Sequence, residues 1–348
     1  MVHKIGIGVG IVSLFIRWVF AFNPVLCESW YYDTVFRTVR LAQTTIFGWI
    51  PFPCLWLFCL LFIILFAWDA FSEIPKKNKL THFAMRGGSF LGWLIALFLW
   101  LWGYNYTRPT LMQQHGIQVN PIAFEEIKSQ LYALTDSVIL YRKKITEENY
   151  YQYQTLQEAA TKAVEQHLPY LGFNPIKNAP VRQLIPKGIL MHFGASGIYF
   201  PFTGECNVDA GVHPLQFPFV VAHEFGHANG FTDEGECNFI AYLALFYSKI
   251  PELKYSGLLT HWRMLATEWK RMDESGYTNY RDSLPHILIS DLDAINENLL
   301  RYPDFFPYWQ EALYNKFLTV QGVKDGTSSY NNMLMMITAW DKKYHRAN

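Results

Sequence analysis

The chain has 348 residues and a mass of 40.6 kDa, room for one large domain or two ordinary ones. Hydrophobic residues make up 51 % and charged residues only 17 %, against about 25 % charged in a typical soluble domain, which excludes disorder and argues against a purely cytosolic enzyme. Lys+Arg and Asp+Glu balance at 29 each, leaving no basic field for nucleic acid, and five cysteines are too few for a disulfide scaffold.

The apolar excess lies before residue 105. Three stretches, Ile5–Phe22, Ile46–Ala67 and about 88–104, approach the ~20 apolar residues that cross a bilayer and predict three transmembrane helices. His3 and Lys4 give the first a basic start, but no small-x-small cleavage site follows, so it reads as a retained span rather than a signal peptide. Lys76, Lys77, Lys79 and Arg86 outnumber Asp69 and Glu73 between spans two and three. The positive-inside rule then puts that loop and the N-terminus in the cytoplasm, and everything after Tyr104 outside it.

Asn105–Pro109 is a polar linker that opens a second domain, residues 105–348. Helical spacing recurs near Pro121–Ser137 and Glu147–Leu168. Short apolar runs follow at Ile189–Phe193, Ile198–Phe202 and Cys206–Val208, with Thr203-Gly204 as a hairpin turn. After Phe217 the pattern is helical almost to the end. The expected class is α+β: three membrane helices in residues 1–104, then a mostly helical domain with a small sheet.

His223-Glu224-Phe225-Gly226-His227 is an H-E-x-x-H motif, with Pro218 suited to a first helical turn and Gly230 to a helix end. On a helix the two histidines stand one turn apart on one face and can share a zinc ion. Glu224 points off that line, where it can take a proton from a zinc-activated water as general base. Three carboxylates offer a third ligand. Glu236 begins a new amphipathic helix and can turn back toward the first; Asp233 sits at a compact spacing beyond Gly230. Glu234 reads as a cap or a partner of a histidine N–H.

The Glu236-Cys237-Asn238-Phe239-Ile240-Ala241 segment resembles the third-ligand helix of gluzincin metallopeptidases, and the Asp233 spacing resembles the compact metzincin motif. Nearly end to end the chain resembles the bacterial family called domain of unknown function 3810. The resemblance is carried by Gly48–Pro53, Asn105–Pro109, the Pro201–Glu205 hairpin, the H-E-x-x-H helix and Gly322–Tyr330. The chain departs from the family at Ala228, often Gln there, and at Cys237, usually Ala. The resemblance implies a zincin-like domain with Zn2+ on His223, His227 and Glu236, and a bacterial cytoplasmic membrane location.

Together these readings predict a membrane-anchored zinc hydrolase acting on peptide or envelope substrates, with the bilayer as partner. A zinc-stabilised sensor or assembly protein without turnover is the alternative. The hairpin Ile198–Val208 suits either a substrate-pairing strand or a purely structural role. Cys206 and Cys237 are expected as free buried thiols, although an oxidising exterior permits a disulfide. His213, His286 and Tyr330 are candidates to polarise a carbonyl, while Met333, Met335 and Met336 read as core.

Overall fold

The computed structural model describes residues 2–71, 79–146, 152–305, 316 and 332–344. Lys76, Lys77, Glu73, the start of the Glu147 pattern and the Gly322–Tyr330 segment, Tyr330 included, lie outside them. The chain divides into two compact units. The first is Met1–Pro109 with Asn178–Arg182 and Phe200–Glu205; the second holds the remaining residues.

In the first unit α1 (Val2–Phe22) precedes a π-helical stretch (Cys27–Phe36), α2 (Arg37–Phe47), α3 (Cys54–Phe71) and α4 (Lys79–Leu101). α1 packs along α4 through glycines. A Cβ on Gly10 would lie 2.6 Å from Gly92 Cα, and one on Gly92 would strike the Gly6 carbonyl. Small-residue contacts of this kind let helix backbones approach where lipid supplies no hydrophobic drive. The two helices run parallel: Gly6 meets Ser89 and Trp93, while further along Ser13 Oγ accepts from Trp100 Nε1 at 3.2 Å and Ser13 O from Tyr104 Oη at 3.0 Å.

Among the described residues two helices, Lys4–Phe22 and Thr81–Leu101, are long and apolar enough to cross a membrane, not the three expected. The Ile46–Ala67 stretch is not one helix. α2 stops at Phe47, the chain turns through Gly48–Pro53, and α3 restarts at Cys54, leaving a shorter apolar helix, Cys54–Trp68. Pro51 and Pro53 remove two backbone donors and cannot continue a helix. Glu205 completes the break. Its carboxylate accepts the first helical N–H groups, Cys54 at 2.9 Å and Leu55 at 2.6 Å, and pairs with Arg182. Arg182 in turn donates to the carbonyls of Phe47 and Ile50.

The tip of the expected hairpin therefore has a structural task. Gly204, at φ +71°, closes the turn by donating to Phe200 O at 2.8 Å. Gln43 Nε2 donates to Pro201 O at 2.6 Å, and Phe58 stacks on Phe202 with ring centroids 4.6 Å apart.

The second unit is mostly helical: α5 (Phe124–Arg142), α6 (Tyr153–His167), α7 (Phe217–Ala228), α8 (Glu234–Phe246), α9 (Pro251–Met272), α10 (Glu274–Asp282), α11 (His286–Leu300) and α12 (Asn332–Tyr344). Strands β1 (Val181–Leu184), β2 (Gly197–Phe200) and β3 (Glu205–Asp209) form a sheet in the order β1-β3-β2, so β2 is an edge. Leu131, Val138, Leu258, Trp262, Leu265, Leu288 and Ile295 build the core between α5, α9 and α11. Trp262 Nε1 finds a partner in Thr135 Oγ1 at 2.8 Å, as a buried indole requires. Met333 and Met336 on α12 are buried core residues, as the sequence implied, whereas Met335 is only half-buried.

Candidate metal centre

α7 has the start and stop its sequence dictates, with Pro218 in the first turn and Gly230 at φ +87° just past the end. His223 and His227 rise from one face, their ring centroids 4.8 Å apart. A Cβ on Gly226 would lie 3.3 Å from Cys237 Sγ, so the bare backbone there lets α8 pack closely on α7.

The carboxylate that meets the two histidines belongs to Glu234. Its Oε2 lies 3.1 Å from His223 Nε2 and 3.5 Å from His227 Nε2, and the two Nε2 atoms are 3.2 Å apart. All three side chains are buried. Glu236, the expected third ligand, turns elsewhere: its Oε1 accepts the backbone N–H of Leu111 at 2.5 Å. Asp233, the rival, caps α8 by accepting the Glu236 N–H at 2.9 Å. Asp233 and Glu234 have thus exchanged the roles read from sequence. The signal was present. Asp-x-x-Glu at a helix start is a capping pattern that commits Asp233 to the cap, leaving Glu234, the first helical residue, to lean back over α7.

The outer nitrogens of both rings are committed. His227 Nδ1 donates to Phe231 O at 2.9 Å, and His223 Nδ1 to Asn238 Oδ1 at 2.7 Å. A neutral imidazole that donates from Nδ1 presents a bare lone pair at Nε2. Two such lone pairs and a carboxylate oxygen converge, and a cation resolves their mutual repulsion. Tetrahedral ligands with bonds of about 2.0–2.1 Å stand about 3.3 Å from one another, and the three separations here bracket that value. The group fits a metal ion.

The family model described as Protein of unknown function (DUF3810) matches residues 31–338. The chain belongs to that family. No curated protein and no solved structure matches it. For this DUF3810 member the site itself therefore carries the chemical argument.

Burial acts to raise the Glu234 carboxyl, but the charge of a protonated His227 and hydrogen bonds from both imidazoles outweigh it and hold the group well below the usual carboxylate range. Against its own burial, Cys237 and Glu234 in turn hold His227 well above its ordinary value, so a proton occupies this group where no metal does. Glu224 differs. Burial raises its carboxyl above the ordinary value, with His223 and His227 pulling the other way. The Tyr199 backbone N–H on β2 donates to that carboxylate, while Oε2 is buried with no hydrogen-bond partner among the described residues.

Cys206 and Cys237 are free thiols. Cys206 donates to Glu224 O at 3.2 Å, and Cys237 Sγ lies 3.3 Å from His227 Nδ1. His213 serves locally, its Nδ1 accepting the Leu215 N–H at 3.3 Å. His286 opens α11 on the exposed surface. Neither belongs to the His–His–Glu group.

Proposed function

We propose that this protein is a membrane-anchored zinc-dependent hydrolase, a metallopeptidase acting on peptide or envelope substrates. His223, His227 and Glu234 hold the metal and Glu224 is the general base. The observation that carries the reading is the convergence of two bare Nε2 lone pairs and one carboxylate beside a second carboxylate with an unspent oxygen. Zinc supplies Lewis acidity there, activating water and polarising a carbonyl. The protein's own groups do the rest: Asn238 and Phe231 O orient the imidazoles, and Glu224 Oε2 takes the proton released as water attacks. A zinc-stabilised sensor or assembly protein has no need of that second carboxylate.

The anchoring part rests on α1 and α4. Only 22 % of each apolar window is buried, and Ile11, Val12, Phe15 and Trp18 project outward, as lipid-facing residues do. The Tyr104–Ser13 bond and the glycine packing favour a retained α1 over a cleaved leader. Because α1 and α4 run parallel, both end on the same side of the bilayer. With Lys4 in the cytoplasm, the metal centre then faces the outside of a bacterial cytoplasmic membrane.

The test uses the full chain purified in detergent. Stoichiometric zinc, chelator-sensitive cleavage of envelope peptides, and a loss of about 10²–10⁴-fold in Glu224→Gln with zinc retained are the expected results. Absence of stoichiometric metal, or undiminished cleavage by Glu224→Gln, overturns the reading.

A further inference from the structure

Gly197 opens β2 and lies against Glu224. A Cβ at this position would stand 2.6 Å from Glu224 Oε1, 2.7 Å from Cγ and 2.9 Å from Cδ. Real Cβ atoms do not approach other heavy atoms so closely, so any other residue pushes the carboxylate away. The backbone does not require glycine here, because Gly197 is absent from the positive-φ glycines. A strand glycine without such a need marks the close approach of another group, and that group is the Glu224 side chain.

Two residues on, Tyr199 donates its N–H to the same carboxylate. Gly197 therefore lies against the Glu224 side chain at Oε1, Cγ and Cδ, while Oε2 has no partner among the described residues. We propose that Gly197 is a positioning residue: by lacking a Cβ, it lets β2 hold Glu224 in the single rotamer that keeps Oε2 free for proton transfer. This deepens the hydrolase reading and rests on it.

The test is a double-mutant cycle between Gly197→Ala and Glu224→Ala in the full chain, read by thermal unfolding, zinc content and kinetics. Gly197→Ala is expected to lower the unfolding midpoint by several degrees and to be neutral in the Glu224→Ala background, where the methyl finds room. Zinc stoichiometry stays at the wild-type value, because neither residue is a ligand. In turnover, Gly197→Ala is expected to lower kcat about 100-fold with KM unchanged, the order of loss a misplaced reacting group produces. Should Gly197→Ala alone fail to fold, recovery of folding in the double variant gives the same result. An unchanged midpoint and kcat in Gly197→Ala, or an equal penalty in both backgrounds, overturns the proposal. The stability cycle needs no turnover, so its failure is distinct from failure of the hydrolase reading, which shows as metal-free wild-type protein.

Discussion

Glu236 Oε1 accepts the backbone N–H of Leu111 at 2.5 Å, two positions along α8 from the carboxylate that faces His223 and His227. The two glutamates therefore separate in experiment. Glu234→Ala is expected to lose zinc on dialysis. Glu236→Ala is expected to keep it and to lose about 1–3 kcal/mol of stability, since the Leu111 donor is left buried and unpaired. Metal analysis and denaturant unfolding of both variants decide the assignment; the reverse order restores Glu236 as the ligand.

Asn238 stands behind His223 at 2.7 Å and fixes which ring nitrogen faces the metal group. Asn238→Ala frees the ring to rotate or change tautomer. Zinc affinity is expected to fall about 10–100-fold, the usual effect of losing a partner that orients a ligand. Competition with a chelating dye measures it, and unchanged affinity shows that packing alone holds the imidazole.

In the first unit, Glu205 is fully buried against Arg182 and two helix N–H groups. Glu205→Ala leaves a buried guanidinium and the start of α3 without their acceptor. A loss of about 3–5 kcal/mol is expected for breaking a buried pair from one side. Unfolding in detergent reads it, and a change under 1 kcal/mol would show that solvent reaches the pair.

His261 predicts the acid limit of the second unit. Its ring lies edge-on to Tyr242, centroids 4.7 Å apart, neither nitrogen has a hydrogen-bond partner among the described residues, and burial pushes its pKa down to about 3. The unfolded chain takes up the proton near its ordinary pKa of about 6.5 and the folded one does not. Stability is thus full above pH 6.5 and falls as pH drops toward 3, by about 2 kcal/mol at pH 5. Burial lowers His167 as well, to about 4, so it adds to the slope over the same window. His261→Leu should flatten the curve between pH 7 and 5 without abolishing it; an unaltered slope in denaturant titrations at the two pH values rules the residue out.

By itself the sequence determined the features that depend on local spacing. The His223–His227 pair, the position of Glu224 and the limits of α7 follow from helical periodicity, a first-turn proline and a terminal glycine. The apolar character of α1 and α4 follows from composition. Tertiary structure decided what depends on distant partners. Glu234, Glu236 and Asp233 lie within four residues and carry the same charge, so only the direction of α8, the Asp233 cap and the Leu111 amide bring Glu234, and not the other two, to the histidines. Likewise Ile46–Ala67 is uniformly apolar, yet Arg182 and Glu205, more than a hundred residues away in sequence, receive the backbone groups freed where its helix breaks. Hydropathy records how apolar a stretch is; it does not record which distant side chain will satisfy a broken backbone, and that is why the break in the middle apolar stretch and the carboxylate beside the histidines had to await the fold.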